Sequence, residues 1–128
     1  MVDPNSIILL LSAMIAIESG GNVNAYNEAE EAAGCLQIRP CYLQDVNRIL
    51  GEDKYCLADR FDEYKSRQMV LTYWVHYATE ERIGRAPTLA DLARIHNGGP
   101  NGYKKDSTEI YWLKVKSEYD KLSKEQRK

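Results

Sequence analysis

The chain has 128 residues, 44% of them hydrophobic and 28% charged, with a formal net charge of −2. That balance excludes a disordered chain and supplies no cationic field for nucleic acid or for an anionic membrane. The length suits one ordinary domain with a real core, so residues 1–128 are read as a single domain.

Along the chain the signals are helical almost throughout. Asp3 stands as an N-cap with Pro4 in the first turn, opening a helix that runs to about Glu18 and stops at Gly20 and Gly21. Its run Ile7 to Ile17 is apolar apart from Ser12. The run lacks the positively charged start of a signal peptide and is too short to span a bilayer, so it reads as a buried core helix. No signal peptide and no stable membrane insertion are expected.

Residues 19–37, rich in Gly, Asn and Ala, read as an ordered loop or small sheet. Pro40 opens a second helix that closes at Gly51. A third is expected to begin near Asp62 and to end by Gly84, with Met69, Val70, Tyr73, Trp74 and Tyr77 at helical spacing. Those aromatics are read as core and not as a sugar platform. Thr88 and Asp91 resemble a capping box ahead of Leu92, Ala93 and Ile95, and this fourth helix ends at Asn97-Gly98-Gly99-Pro100. The last helix begins near Ser107 or Thr108 and presents Ile110, Tyr111, Val115, Tyr119 and Leu122. Lys114, Lys116, Lys121, Lys124, Arg127 and Lys128 read as its solvated end rather than as a polyanion site. The fold class is therefore mainly α, with one long loop after the first helix and another after the fourth.

Cys35, Cys41 and Cys56 are too few and too oddly spaced for a zinc site or a disulfide framework. The odd count leaves at least one free thiol, and a Cys41–Cys56 bridge stays open. No metal and no cofactor are called for.

Glu18 is the informative position. A carboxylate at the C-terminal end of an apolar helix faces the negative pole of the helix dipole, and desolvation beside Ile15 and Ile17 would disfavour its charge further. A Glu held protonated is what general-acid cleavage of a glycosidic bond requires. An exposed Glu at a frayed helix end is the plainer reading, and the context decides between them. Glu18-Ser19-Gly20-Gly21-Asn22 is followed by Ala25-Tyr26-Asn27 and by Gly34-Cys35-Leu36-Gln37-Ile38-Arg39-Pro40. Later come Ala93-Arg94-Ile95-His96-Asn97-Gly98-Gly99-Pro100 and Thr108-Glu109-Ile110-Tyr111-Trp112.

In this order the set resembles the lytic transglycosylase (SLT) domain and the related goose-type lysozymes, over roughly residues 5 to 119. The resemblance implies a helical lysozyme-like fold with a groove for alternating N-acetylglucosamine and N-acetylmuramic acid. By that resemblance Glu18 matches the catalytic acid, Ser19 and Gln37 line the groove, and Asn97 and Gly98 belong to the Asn-Gly-Gly motif. Tyr111 matches the tyrosine that orients the catalytic Glu. Tyr26 and Tyr103, on the two loops, offer flat faces for pyranose rings. The implied partner is peptidoglycan glycan strands, cleaved at the cell wall by a monomer.

Cys35-Leu36 stands where the family has Leu-Met, and His96 replaces an aromatic before Asn-Gly-Gly. Arg39 stands where goose-type lysozymes place an Asp. A hydrolase needs a second carboxylate, for which Glu28, Glu30 and Glu31 on the loop are the candidates. A lytic transglycosylase works with one Glu and leaves a 1,6-anhydromuramic end. Arg39 favours that single-acid route, with the hydrolytic lysozyme, or a related chitinase using a loop Glu, as the alternative. Two rivals come from other classes. A Cys–His peptidase would have to draw on His76 or His96, and no cysteine sits in a nucleophile motif. A silent glycan-binding protein would have no need of Glu18, Gln37, Asn97 and Tyr111 together.

Overall fold

The computed structural model describes residues 2–126; Arg127 and Lys128 of the C-terminal cluster lie outside them. In chain order the helices are α1 (Pro4–Ser19), α2 (Pro40–Leu50), α3 (Glu63–Tyr77), α4 (Glu80–Ile83), α5 (Leu89–Gly98) and α6 (Glu109–Gln126). A small sheet, β1 (Tyr26–Asn27) and β2 (Ala32–Ala33), lies between α1 and α2. Short 3-10 turns occupy Leu57–Phe61, Gly102–Lys104 and Asp106–Thr108. The chain divides into two compact units, one made by the ends of the chain up to Ile17 and from Tyr77 onward, the other by Glu18–His76.

The first unit begins with α1, whose start the sequence announces. Asp3 Oδ1 accepts from the Ser6 backbone N–H at 2.9 Å and Asp3 Oδ2 from the Ser6 hydroxyl at 3.2 Å, satisfying donors that a helix N-terminus leaves orphaned. Leu9, Leu10, Leu11, Ala13, Met14 and Ile15 are buried, so the apolar run is a core helix as expected, with Ile8 its one large exposed side chain. Among the described residues no helix is long and apolar enough to cross a membrane. Leu10, Met14, Ala93, Ile95 and Val115 are all fully buried and form the interior of this unit. Each side chain of the Leu, Ile or Met kind contributes about 1.5–3 kcal/mol through removal from water.

Helix α5 packs against α6 and against both flanking 3-10 turns. Its start is the expected capping box: the Thr88 side chain accepts from the Asp91 N–H, and Asp91 Oδ2 accepts from the Thr88 N–H at 2.8 Å. Arg85 completes the cluster by pairing through its guanidinium with both Asp91 oxygens, one at 2.9 Å. Asp91 is buried; desolvation pushes its carboxyl up, but hydrogen bonds from Arg85 and Thr88 outweigh that and hold it below 3.8.

The second unit holds the sheet, α2 and α3. β1 and β2 are antiparallel, pairing Tyr26 with Ala33 and Asn27 with Ala32, and a further bridge joins Ala33 to Ile38. α2 has Pro40 in its first turn and closes on Gly51, whose N–H returns to the Asn47 and Arg48 carbonyls. Its Tyr42 stacks on Tyr73 of α3, ring centroids 3.9 Å apart and planes inclined by 14°. Met69, Val70, Tyr73 and Trp74 are buried, so the α3 aromatics are core, as their spacing predicts.

One expectation requires correction. The third helix does not run to Gly84 but ends at Tyr77, and a separate α4 follows. Thr79 is the cause: its hydroxyl accepts from the Arg82 N–H at 3.2 Å and starts a new helix inside the periodic pattern. The Arg82 guanidinium then donates to the Tyr77 carbonyl at 2.9 Å, satisfying an end that would otherwise continue. On α6, Ile110 does not face the core; it is 69% exposed, and Leu113 shares that outer face, while Val115 is the buried residue. All three cysteines are free thiols, Cys35 buried and Cys41 and Cys56 exposed, so the Cys41–Cys56 bridge is not formed.

Because the Asp91 carboxyl is held below its ordinary value in the folded chain, the stability it contributes is present above 3.8 and is lost as pH falls through the lower folded value. Asp91→Asn is therefore expected to cost about 1–2 kcal/mol near neutrality. Urea titrations across acid pH check this. The gap between wild type and variant should close in strong acid, and a gap that persists there counts against the assignment.

Candidate active site

Four of the residues singled out in the sequence, Glu18, Ser19, Tyr26 and Gln37, belong to the unit Glu18–His76. The other four, Asn97, Gly98, Tyr103 and Tyr111, belong to the unit made by the chain ends.

In the first group, Glu18 is half-buried in the last turn of α1, at the helix end its dipole disfavours. Ser19 closes that helix. Its hydroxyl donates to the Cys35 carbonyl at 2.9 Å and accepts from the Gly21 N–H at 3.2 Å. The hydroxyl thus ties the helix end that carries Glu18 to the segment after β2. That segment turns sharply, with Gly34 at φ +83° and Gln37 at φ +51°. Gly34 N–H donates to the Ala25 carbonyl at 2.8 Å, and the Gln37 side-chain amide donates to the Ala25 and Gly34 carbonyls at 3.3 and 3.0 Å. Gln37 holds this turn together from within. Tyr26, 50% exposed on β1, is available at the surface.

Glu18 has an aromatic neighbour that the sequence did not announce. Burial pushes the Tyr42 phenol well above its ordinary value, and the charges of Tyr73 and Glu18 push it in the same direction. Glu18 therefore shares its electrostatic surroundings with a buried tyrosine pair. The loop glutamates Glu28, Glu30 and Glu31 are all exposed, and Arg39 is exposed at the N-cap of α2.

The second group sits on a turn built from polar staples. Asn97 is half-buried near the end of α5, and Gly98 ends it against Thr108, where a Cβ would stand 2.4 Å from Thr108 Cγ2. The buried Thr108 hydroxyl accepts from Arg94 Nε at 2.8 Å and lies 2.7 Å from the Gly102 carbonyl. Arg94 also donates to the Lys105 carbonyl at 2.7 Å, and Lys105 Nζ to the Gly98 carbonyl at 2.7 Å. Tyr103 is half-buried on this turn, with Lys104 Nζ 5.8 Å from its ring centre. Tyr111 is half-buried in the first turn of α6.

Buried Cys35 is a poor nucleophile. Burial pushes the Cys35 thiol up, which is the opposite of what a reactive thiolate needs.

This mainly helical chain with a short sheet after its first helix has a lysozyme-like fold. A chain in the crystal structure of Aeromonas hydrophila PliI in complex with Meretrix lusoria lysozyme matches it at TM-score 0.71 and 30% identity, over 85% of this chain and 87% of that one. Lysozyme from Meretrix lusoria is 34% identical over 107 residues, covering 82% of this chain and 84% of the relative. Lysozyme 1 of Crassostrea virginica is 31% identical over 88 residues and lysozyme of Ostrea edulis 32% over 88. Each of these two covers about two thirds of this chain, 69% and 68%, which in turn spans 45% and 60% of their lengths. No family model matches the chain. The chain belongs to the lysozyme family. The comparisons support that family in its invertebrate form, and not the lytic transglycosylase or goose-type branch in particular.

The tightest internal constraint is at Gly34, where a Cβ would stand 1.7 Å from the Arg60 carbonyl oxygen. Gly34→Ala is expected to cost more than about 3 kcal/mol, since it adds a backbone clash to a left-handed φ. Denaturant unfolding of the purified variant checks this, and a stability within experimental error of wild type contradicts it.

Proposed function

We propose that this chain is a peptidoglycan glycosidase that cleaves the β-1,4 bond between N-acetylmuramic acid and N-acetylglucosamine, with Glu18 as its general acid. The observation that carries the reading is the placement of Glu18: half-buried, at the unfavourable end of α1, and braced by the Ser19–Cys35 hydrogen bond. Membership of the lysozyme family supports it.

In this reading Glu18 gives its proton to the leaving glycosidic oxygen and then acts as base in the second half of the reaction. Bracing matters because a general acid must lie within hydrogen-bond reach of the oxygen it protonates, and small displacements cost rate steeply. Ser19 and Gln37 hold the backbone around that acid, while Tyr26, Asn97, Gly98 and Tyr103 are the proposed sugar contacts. Tyr111 is the proposed orienting group. The substrate is met at the cell wall.

Relatives named lysozyme favour water as the acceptor in the second step. The intramolecular route to a 1,6-anhydromuramic end stays a second reading, favoured by the exposure of Glu28, Glu30 and Glu31. Digestion of purified peptidoglycan in heavy-oxygen water separates them. Hydrolysis labels each new reducing end and requires one of the loop glutamates, whereas transglycosylation gives unlabelled fragments lighter by one water.

Glu18→Gln is expected to abolish fragment release while leaving Tm unchanged or raised, because the charge it removes sits at a poor helix end. Release by a folded Glu18→Gln protein would sink the mechanism. Tyr111→Phe is expected to lower kcat by about ten- to a hundredfold with little change in KM, the equivalent of one lost hydrogen bond to a reacting group. Steady-state kinetics on soluble glycan fragments measures both.

A further inference from the structure

We infer that Arg60 is a positioning residue for the proposed glycosidase site: its guanidinium fixes the backbone from Glu31 to Ile38, on which the end of α1 is braced. The inference rests on the function proposed above. Arg60 is 5% exposed, and no ion pair joins it to a carboxylate among the described residues. A buried guanidinium without an acid is costly unless backbone oxygens take up its donors. Here they do. Nη1 donates to the Glu31 carbonyl at 2.7 Å and to the Ile38 carbonyl at 2.8 Å, and Nε donates to the Leu57 carbonyl at 2.9 Å.

The two Nη1 acceptors bracket the turn that contains Gly34, Cys35 and Gln37. The turn is strained, because Glu31 and Gln37 both take positive φ, at 55° and 51°. Non-glycine residues persist in that region only where their surroundings over-determine them. Arg60 supplies the surroundings twice. Its side chain holds both ends of the turn, and its own carbonyl presses on Gly34 while accepting from the Ser66 hydroxyl at 2.9 Å. Ser66 is fully buried on α3, so the turn is referred to a rigid helix. Through the Cys35 carbonyl the same turn receives the Ser19 hydroxyl, next to Glu18. Loss of the clamp therefore displaces the acid's support without touching the acid.

Wild type, Arg60→Lys and Val70→Ala are compared on soluble peptidoglycan fragments, well below every unfolding midpoint. Lysine keeps the charge but lacks the planar fork that serves fixed acceptors. Arg60→Lys should lower kcat by about tenfold or more with KM within about twofold, while Val70→Ala, which thins the core of the same unit, loses stability and keeps kcat. Amide exchange reads the clamp independently of turnover. The N–H groups of Ala33, Gly34 and Ile38 should exchange about tenfold faster or more in Arg60→Lys, with those of α3 still protected. Wild-type kcat in folded Arg60→Lys overturns the proposal, whatever the exchange shows. If Arg60→Lys does not fold, Ser66→Ala carries the same readouts: lower kcat with faster turn exchange supports the inference, and no change in kcat overturns it. A wild-type protein that releases no fragments defeats the glycosidase reading, and the exchange arm still decides whether Arg60 holds the turn.

Discussion

Gly34 and Arg60 meet backbone to backbone, so closely that the carbonyl oxygen of one occupies the space a side chain of the other would need. Much of the unit Glu18–His76 is arranged around that contact. It fixes the turn after β2, the turn presents the Cys35 carbonyl, and the carbonyl receives the hydroxyl that ends α1. A helix terminus is ordinarily the part of a helix most prone to fray. Here the terminus carries the proposed acid and is closed by a hydrogen bond that Ser19 donates to the carbonyl of Cys35, 16 positions away. Rigidity is delivered to Glu18 through its neighbour Ser19.

The turn between α5 and α6 reaches a similar end by different means. There the fixed points are side chains: the Thr108 hydroxyl, the Arg94 guanidinium and the Lys105 ammonium, each spent on a backbone carbonyl or on one another. Charged donors to carbonyl oxygens make the stronger class of hydrogen bond. A loop with little apolar content is thereby held without a core of its own. The exposed Arg82 guanidinium adds a grip on the same turn from outside, donating to the Pro100 carbonyl and to Asn101 Oδ1.

What the sequence made legible was whatever is encoded within a few residues. Asp3, the Thr88–Asp91 pair and Gly51 mark helix ends because caps act over three or four positions. Apolar α1 and the aromatics of α3 were legible as core because burial follows composition and period. The end of α3 was misread because Thr79 caps inside an uninterrupted helical pattern, where propensity alone favours continuing. On α6 the period marks an apolar set but not which of its members is covered, and Ile110 is exposed while Val115 is buried. In the candidate site, the order of fragments pointed to Glu18, Ser19 and Gln37, but not to the carbonyls that Ser19 and Gln37 bind. Arg60 was invisible, since its acceptors Glu31 and Ile38 lie 29 and 22 residues away and no local pattern announces them.

The division of the chain has a consequence for how it is made. The unit Glu18–His76 is one continuous stretch, whereas its companion is assembled from the first residues and the last fifty or so. During synthesis from the N-terminus, the continuous unit has all its residues as soon as His76 is clear of the ribosome. Helix α1 precedes that continuous unit yet must wait until after it, because α5 and α6, which complete its own unit, follow it in the chain. Closing that long interval is an entropic cost that grows only slowly with length, but it delays the burial of Leu9, Leu10, Leu11, Met14 and Ile15. Of the two units, the one that contains α1 is thus the later to be completed, and the apolar face of α1 stays open to solvent in the interval.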